Sequence, residues 1–225
     1  MAVILQIETA TRSCSIALAD QGKVLAFKEQ DEANIHASYL TLFIEEVMKM
    51  AGKSYADLDA VAVSMGPGSY TGLRIGVSTA KGLCYALDKP LIAVSTLEAM
   101  ASTKQAAASD HTLLCPMIDA RRMEVYMALF DRELNLKAPV HAQILDEHTF
   151  DPYLDQFQVH VFGDGAEKCK SLYPYPSFTF SSHINSAKDL SSIAFEKFKS
   201  GEFVDLAYFE PYYLKDFIAT KPKNA

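Results

Sequence analysis

No two of the four cysteines, Cys14, Cys84, Cys115 and Cys169, stand close enough to make a C-x-x-C pair. Three of them sit inside apolar stretches, which points to reduced, buried thiols rather than disulfides or a zinc site. Positive charge is also short. The chain carries 21 lysines and arginines against 28 acids, a net charge of −7, and acids outnumber bases on both sides of residue 95. That balance excludes an independent nucleic-acid binder, so any RNA involvement needs another protein to supply most of the positive surface. The first segment lacks a basic leader and runs straight into strand-like alternation, unlike a signal peptide. No apolar stretch approaches the length of a transmembrane helix. These absences predict a cytoplasmic protein with no membrane partner. What remains is 225 residues, 49% of them hydrophobic, enough for one large domain or two small ones around a sizeable core.

Nucleotide-binding signatures are missing too. The most distinctive run, Gly66-Pro67-Gly68-Ser69-Tyr70-Thr71-Gly72-Leu73-Arg74-Ile75-Gly76, follows an apolar strand-like segment, Ala60 to Met65, and opens a helix. Its glycines and proline mark a tight turn with backbone N–H groups exposed at a helix start, suited to an anion or to close approach by another protein. It is not a P-loop, because Gly72 is followed by Leu73 and Arg74 rather than Lys-Ser/Thr, and its spacing does not fit G-x-G-x-x-G.

Along the chain, residues 3–8, 14–19 and 23–28 read as an antiparallel three-strand start. A helix from about Asn34 to Ala51 ends at Gly52, followed by a strand at 60–65, the glycine turn, a helix to about Leu87 and a strand at 90–94. This β-β-β-α-β-α-β order predicts helices covering a five-stranded sheet. The second half reads as a helix over Thr96–Ala108, strands at 111–117, 124–130, 140–145 and 159–162, an extended Tyr173-Pro-Tyr-Pro176 loop and a helix from Ala187 to Lys199. The tail from Lys215 is polar and expected to be loose.

Glu8-Thr-Ala-Thr11 after the first strand, the Gly66–Gly76 run, Ile118-Asp-Ala-Arg-Arg122, Glu124-Val-Tyr126, Gly163-Asp-Gly-Ala166 and Pro211-Tyr-Tyr-Leu-Lys215 together resemble the TsaB family. Glu8 stands where that family usually has aspartate, and Tyr70 where it has phenylalanine. The resemblance implies two ribonuclease H-like α/β domains, residues 1–95 and a shorter 96–225, in the actin-like arrangement of the ASKHA superfamily. It implies a scaffold without an active site of its own, binding the catalytic paralogue TsaD for threonylcarbamoyl transfer to the adenosine beside the anticodon of tRNA. A TsaE-like ATPase is the further implied partner, with tRNA reached through the complex and a homodimer as an alternative assembly. No cofactor is expected to be held tightly by this chain, with ATP or ADP confined to an interface shared with a partner. The alternative reading is an independent ATPase or small-molecule kinase of the same superfamily.

For that alternative, Glu8 would be the metal-holding acid, with Thr9 and Thr11 as hydroxyl donors. No glycine in Glu8-Thr-Ala-Thr lets a phosphate reach the backbone, and a structural role with the threonines capping the turn is the simpler reading. TsaD proteins carry His-x-x-x-His on the first long helix. Here His36 is followed four residues later by Leu40, so no metal site is expected. A nuclease reading would need Glu8, Asp59 and Asp119 together, yet Asp59 precedes its strand. His141 and His148 read as surface residues.

The two long helices carry the interface expectation. Taking Ile35 as zero, apolar residues from Ile35, Tyr39, Leu42, Phe43, Val47 and Met50 through Leu40, Ile44, Met48 and Ala51 span an arc of about 240°, where one sheet-facing stripe needs about 100°. The excess predicts a second covered face, the bland alternative being cover by the neighbouring helix and second domain. Gly72, Gly76 and Ala80 recur every four residues as a smooth stripe for close helix approach. Ile35, Tyr39, Leu40, Ile44, Val47, the Gly66–Gly72 loop, Arg74, Gly76 and Ala80 are therefore the predicted interface.

Overall fold

The computed structural model describes residues 2–32 and 35–215. The β-branched opening forms three antiparallel strands, β1 (Val3–Glu8), β2 (Ser13–Asp20) and β3 (Lys23–Asp31). Helix α1 (His36–Met50), strand β4 (Ala60–Gly66), helix α2 (Tyr70–Leu87) and strand β5 (Leu91–Ser95) follow. They complete a five-stranded sheet of order β3-β2-β1-β4-β5, with β4 parallel to β1 and β5 parallel to β4. Alternation along β1 sorts its side chains. Val3, Leu5 and Ile7 enter the core beneath α1 and α2, while Ile4 enters a second core on the opposite face, which Gln6 and Glu8 share.

The second half repeats this plan. Strands β6 (Thr112–Asp119), β7 (Glu124–Phe130) and β8 (Leu136–Ile144) run antiparallel, and β9 (Gln158–Phe162) and β10 (Phe178–Ser181) lie parallel to β6. Their order, β10-β9-β6-β7-β8, is that of the first sheet with β6 in the place of β1. The connecting helices have shrunk. Helices α4 (Asp151–Leu154) and α5 (Glu167–Lys170) are 4 residues each, where α1 and α2 run 15 and 18. Aromatic rings fill the space instead: Phe150, Tyr173 and Phe178 pack with centroids 4.8–5.3 Å apart, in the range of favourable ring contacts.

Helix α3 (Thr96–Ser102) packs on strands of both sheets, while α6 (Ser191–Ser200) packs on the first sheet. Leu190 and Ala194 pack with Ile4, Ala60, Ala62, Ile92 and Val94 of the first sheet. Beyond α6, Val204 bridges to Leu91, and Tyr212 N–H donates to the Met65 carbonyl at 2.7 Å. Residues 96–225 thus contain the second sheet, but their portion from 187 to 213 returns to the first. All four cysteines are free and buried. Burial pushes the Cys14 and Cys84 thiols up to about 11 and Cys169 to about 12, leaving them protonated and unreactive near neutrality.

Several elements depart from the sequence reading. The helix expected over Thr96–Ala108 stops at Ser102, where the Ser102 and Thr103 hydroxyls donate back to the carbonyls of Ala99 and Met100, a bond that competes with helix continuation. A 3-10 turn, Gln105–Ala107, replaces the rest. The helix expected from Ala187 starts as a 3-10 turn and becomes α-helical at Ser191. Strand β10, only four residues long, was not anticipated. The expected helix start at Asn34 and the tail beyond Lys215 lie outside the described residues.

Candidate functional site

The glycine run packs against its own chain. Ser69 caps α2 by accepting from the Gly72 N–H at 3.3 Å, and the Ser69 N–H donates to the Ala10 carbonyl at 2.6 Å. A Cβ on Gly68 would overlap the Ala10 carbonyl, and one on Gly72 the Thr9 carbonyl. Glycine is needed here because the start of α2 lies directly on the turn between β1 and β2. The second half solves the same junction in the same way: Gly163 and Gly165 follow β9 and press on the backbone of Met117 and Ile118 at the end of β6.

Glu8, the acid at the end of β1, is 1% exposed. One carboxylate oxygen accepts from the Ala10 N–H at 2.5 Å and the Ser64 hydroxyl at 3.0 Å. Burial drives its pKa from 4.5 up to about 7, with those two hydrogen bonds opposing the rise and Asp189 adding to it. The 3-10 turn before α6 closes over the neighbouring strand, with the Ala187 N–H donating to Ser15 Oγ at 3.0 Å. Of the two threonines, Thr11 caps its turn by accepting from the Ser13 N–H at 3.4 Å, but among the described residues buried Thr9 Oγ1 has no partner. The capping role thus belongs to Thr11 alone. Glu8, Asp59 and Asp119 do not gather: Asp59 accepts from the Val3 N–H at the far end of β1, and Asp119 pairs with Lys168 at 2.7 Å on the second sheet. His36 packs inside, its Nε2 3.2 Å from the Ser13 carbonyl, and Leu40 lies in the core.

The long helices correct the predicted interface. Ile35, Leu40, Ile44 and Val47 are buried in the chain's own core. The Gly72, Gly76 and Ala80 stripe is buried too, turned toward β1, and a Cβ on Gly76 would overlap the Thr9 hydroxyl. That stripe serves helix-to-turn packing within the chain. What the over-wide arc leaves outside is Tyr39, Leu42 and Met50, at 42%, 50% and 63% exposure. On α2 the outward line is Thr71, Arg74, Ser78, Gly82 and Tyr85, spaced three and four apart and hence on one face. Tyr85 is 84% exposed, and among the described residues a Cβ on Gly82 would meet nothing within 4 Å. The sequence reading missed Gly82 and Tyr85; a glycine in mid-helix was the available signal.

A strap formed by residues 204–213 flanks this face. Lys81 Nζ donates to the carbonyls of Ala207 and Phe209 at 3.2 and 3.0 Å. Tyr213 packs on Tyr70 with centroids 4.6 Å apart, and the Arg74 guanidinium lies 4.4 Å over the Tyr70 ring. Between α2 and the strap is a cleft of about 240 Å³ lined by Arg74, Val77, Lys81, Phe209 and Glu210, among others.

Comparison with known proteins locates this architecture. The family model described as TsaD, tRNA N6-adenosine threonylcarbamoyltransferase, matches residues 30–146. The chain is 32% identical over 231 residues to the tRNA threonylcarbamoyladenosine biosynthesis protein TsaB of Escherichia coli K12, with 97% of this chain and 96% of that one covered. Among solved structures, YeaZ from Pseudomonas aeruginosa superposes with a TM-score of 0.81 at 28% identity, covering 95% of this chain and 100% of that one. The activator of the 2-hydroxyisocaproyl-CoA dehydratase from Clostridium difficile, solved with bound ADPNP, reaches a TM-score of 0.54 at 8% identity over 89% and 97% of the two chains, and shares the fold alone.

Proposed function

The chain belongs to the TsaB family of tRNA threonylcarbamoyladenosine biosynthesis, and from that premise we propose that it is a non-catalytic scaffold that binds and activates a TsaD-like paralogue. The paralogue moves the threonylcarbamoyl group onto tRNA. This chain holds it in its active shape and, with it, presents the surface for a TsaE-like ATPase. The observation that carries the proposal is the outward face of α1 and α2. Tyr39, Leu42, Met50 and Tyr85 are large exposed apolar or aromatic side chains on two adjacent helices, and Gly82 shares the outward line of α2 with Tyr85, with nothing from the described residues within 4 Å of a Cβ built there. A mid-helix glycine costs about 0.5–1 kcal/mol relative to alanine. Close approach by a partner helix supplies the reason to keep it. The family model that matches residues 30–146 is that of the transferase, so a paralogue of like build can offer a matching two-helix face. Arg74, at the N-terminal end of the same line, is where ATP or ADP at a shared interface would find a cation.

The independent-ATPase reading needs an acid that reaches a metal-bound nucleotide. Sealed Glu8, already engaged by Ala10 and Ser64, weighs against it. The test is reconstitution of tRNA modification from purified components. The chain alone should produce no modified tRNA and no ATP turnover, and leaving it out should reduce modification by the paralogue at least tenfold. Turnover by the isolated chain that disappears in Glu8→Ala would contradict the proposal, as would a paralogue equally active without it.

On stability, Gly82→Ala should raise that of the isolated chain by about 0.5–1 kcal/mol, since alanine loses less backbone entropy and meets no obstacle. Thermal or urea melting checks it, and a destabilised Gly82→Ala would place an unseen contact at that site.

A further inference from the structure

Acids outnumber bases over the whole chain, yet the turn between β6 and β7 places two cations side by side that have no acidic partner among the described residues. Arg121 and Arg122 are exposed there on consecutive residues, and among the described residues neither guanidinium has an ion pair or hydrogen-bond acceptor. The carboxylates beside them are already engaged. Asp119 holds Lys168 and accepts the Arg121 N–H at 2.6 Å, and Glu124 is paired with Lys215. Asp164 accepts the Asp119 N–H at 2.9 Å, and its burial favours the protonated form.

The turn is also fixed in shape. The Ala120 N–H donates to the Glu124 carbonyl at 3.1 Å, and the Glu124 N–H donates to the Arg121 carbonyl at 3.2 Å. Both arginines hold left-handed backbone, φ 71° and 51°. The braced backbone is already ordered before binding, so only the two arginine side chains have freedom left to lose there.

Position gives the turn its ligand. Lys215, which pairs with Glu124 beside the turn, is two residues beyond Tyr213, and Tyr213 packs on Tyr70 at the start of α2. The β6–β7 turn therefore lies along one strap from the end of the helix face proposed above to receive the paralogue. We propose that Arg121 and Arg122 contact the phosphate backbone of the tRNA held by that paralogue. Guanidinium groups pair with phosphate oxygens in a planar fork and carry no base specificity. Two such contacts add to a surface supplied mainly by the partner, consistent with a chain too acidic to bind RNA alone. This inference rests on the scaffold reading.

The test uses the complex of the full chain with its paralogue and fluorescently labelled tRNA, followed by anisotropy across a salt series. The double variant Arg121→Asn/Arg122→Asn removes both charges with a residue that tolerates left-handed backbone. It should weaken tRNA binding by roughly tenfold near 0.15 M salt and reduce the slope of log affinity against log salt by about 1.5–2. Arg121→Lys/Arg122→Lys should restore most of both. Co-purification with the paralogue should be unchanged in either variant. Unchanged affinity and slope in the asparagine variant overturn the inference while leaving the scaffold reading intact. A folded asparagine variant that no longer co-purifies with the paralogue also overturns it, by assigning the turn to the protein interface. A wild-type chain that does not pair with the paralogue at all overturns the scaffold reading, and this inference with it.

Discussion

Gly72→Ala should lower the melting temperature of the isolated chain by about 2–12 °C, corresponding to roughly 1–3 kcal/mol of overpacking. The alanine methyl group would overlap the Thr9 carbonyl oxygen, a backbone atom. That carbonyl has little room to retreat. The Ala10 N–H on one side is held by the Glu8 carboxylate, and the Ala10 carbonyl on the other accepts from Ser69 at the cap of α2. Relief requires α2 to lift from the end of β1, which opens the core where Leu73 and Val77 are buried. Gly82→Ala, ten residues along the same helix, should shift stability the other way. A Gly72→Ala protein as stable as wild type would mean that α2 does not sit on the β1–β2 turn as described.

Replacing Glu8 by glutamine should remove a pH dependence worth up to about 3.5 kcal/mol. The folded-state pKa of Glu8 is raised from 4.5 to about 7, and each unit corresponds to about 1.4 kcal/mol. Below pH 4.5 the carboxyl is protonated in both states and the buried group imposes no charge penalty. Between pH 4.5 and 7 the unfolded chain releases the proton while the folded chain keeps it, so stability falls as pH rises, levelling off above about 7. In Glu8→Gln that loss is absent, and the amide oxygen still accepts from Ala10 and Ser64. Urea unfolding at pH 5 and pH 8 isolates the effect. The stability difference between variant and wild type should shift in favour of the variant by about 2.5 kcal/mol from the lower to the higher pH, since the loss has already begun by pH 5. Parallel profiles would show that Glu8 is solvated or charge-compensated in the folded protein.

These two residues also show what the sequence conveyed and what it withheld. The succession of strands and helices along the first half was legible because β-branched runs, turn residues and the glycine punctuation each mark a boundary locally, whereas the order of strands within the sheet comes from the structure. The family resemblance supplied the second domain, whose duplication became visible only when β6 took the place of β1 in a sheet of the same order. Its helices had shrunk to single turns, too short to leave a periodic pattern, and β10 was too short to register as a strand. Periodicity also revealed that α1 is apolar over more than one face, but not which part meets the sheet. Leu40, Ile44 and Val47 went inward, leaving Tyr39, Leu42 and Met50 outside. Gly76 and Gly82 look alike in sequence. They differ because Thr9, distant in the chain, lies over one and nothing among the described residues lies over the other, a distinction made by tertiary contact alone.

The central claim is that the outward helix face binds the paralogue, and titration of that protein by calorimetry against wild type and Gly82→Gln tests it most directly. Glutamine suits an exposed helix, and its Cβ meets nothing within 4 Å among the described residues, so the variant should melt at or above the wild-type temperature. The account predicts a stable wild-type complex and at least a tenfold loss of affinity in the folded Gly82→Gln protein, because its side chain holds the partner helix away. Wild-type and Gly82→Gln proteins that bind the paralogue equally well, or a wild type that does not bind it, would contradict the account.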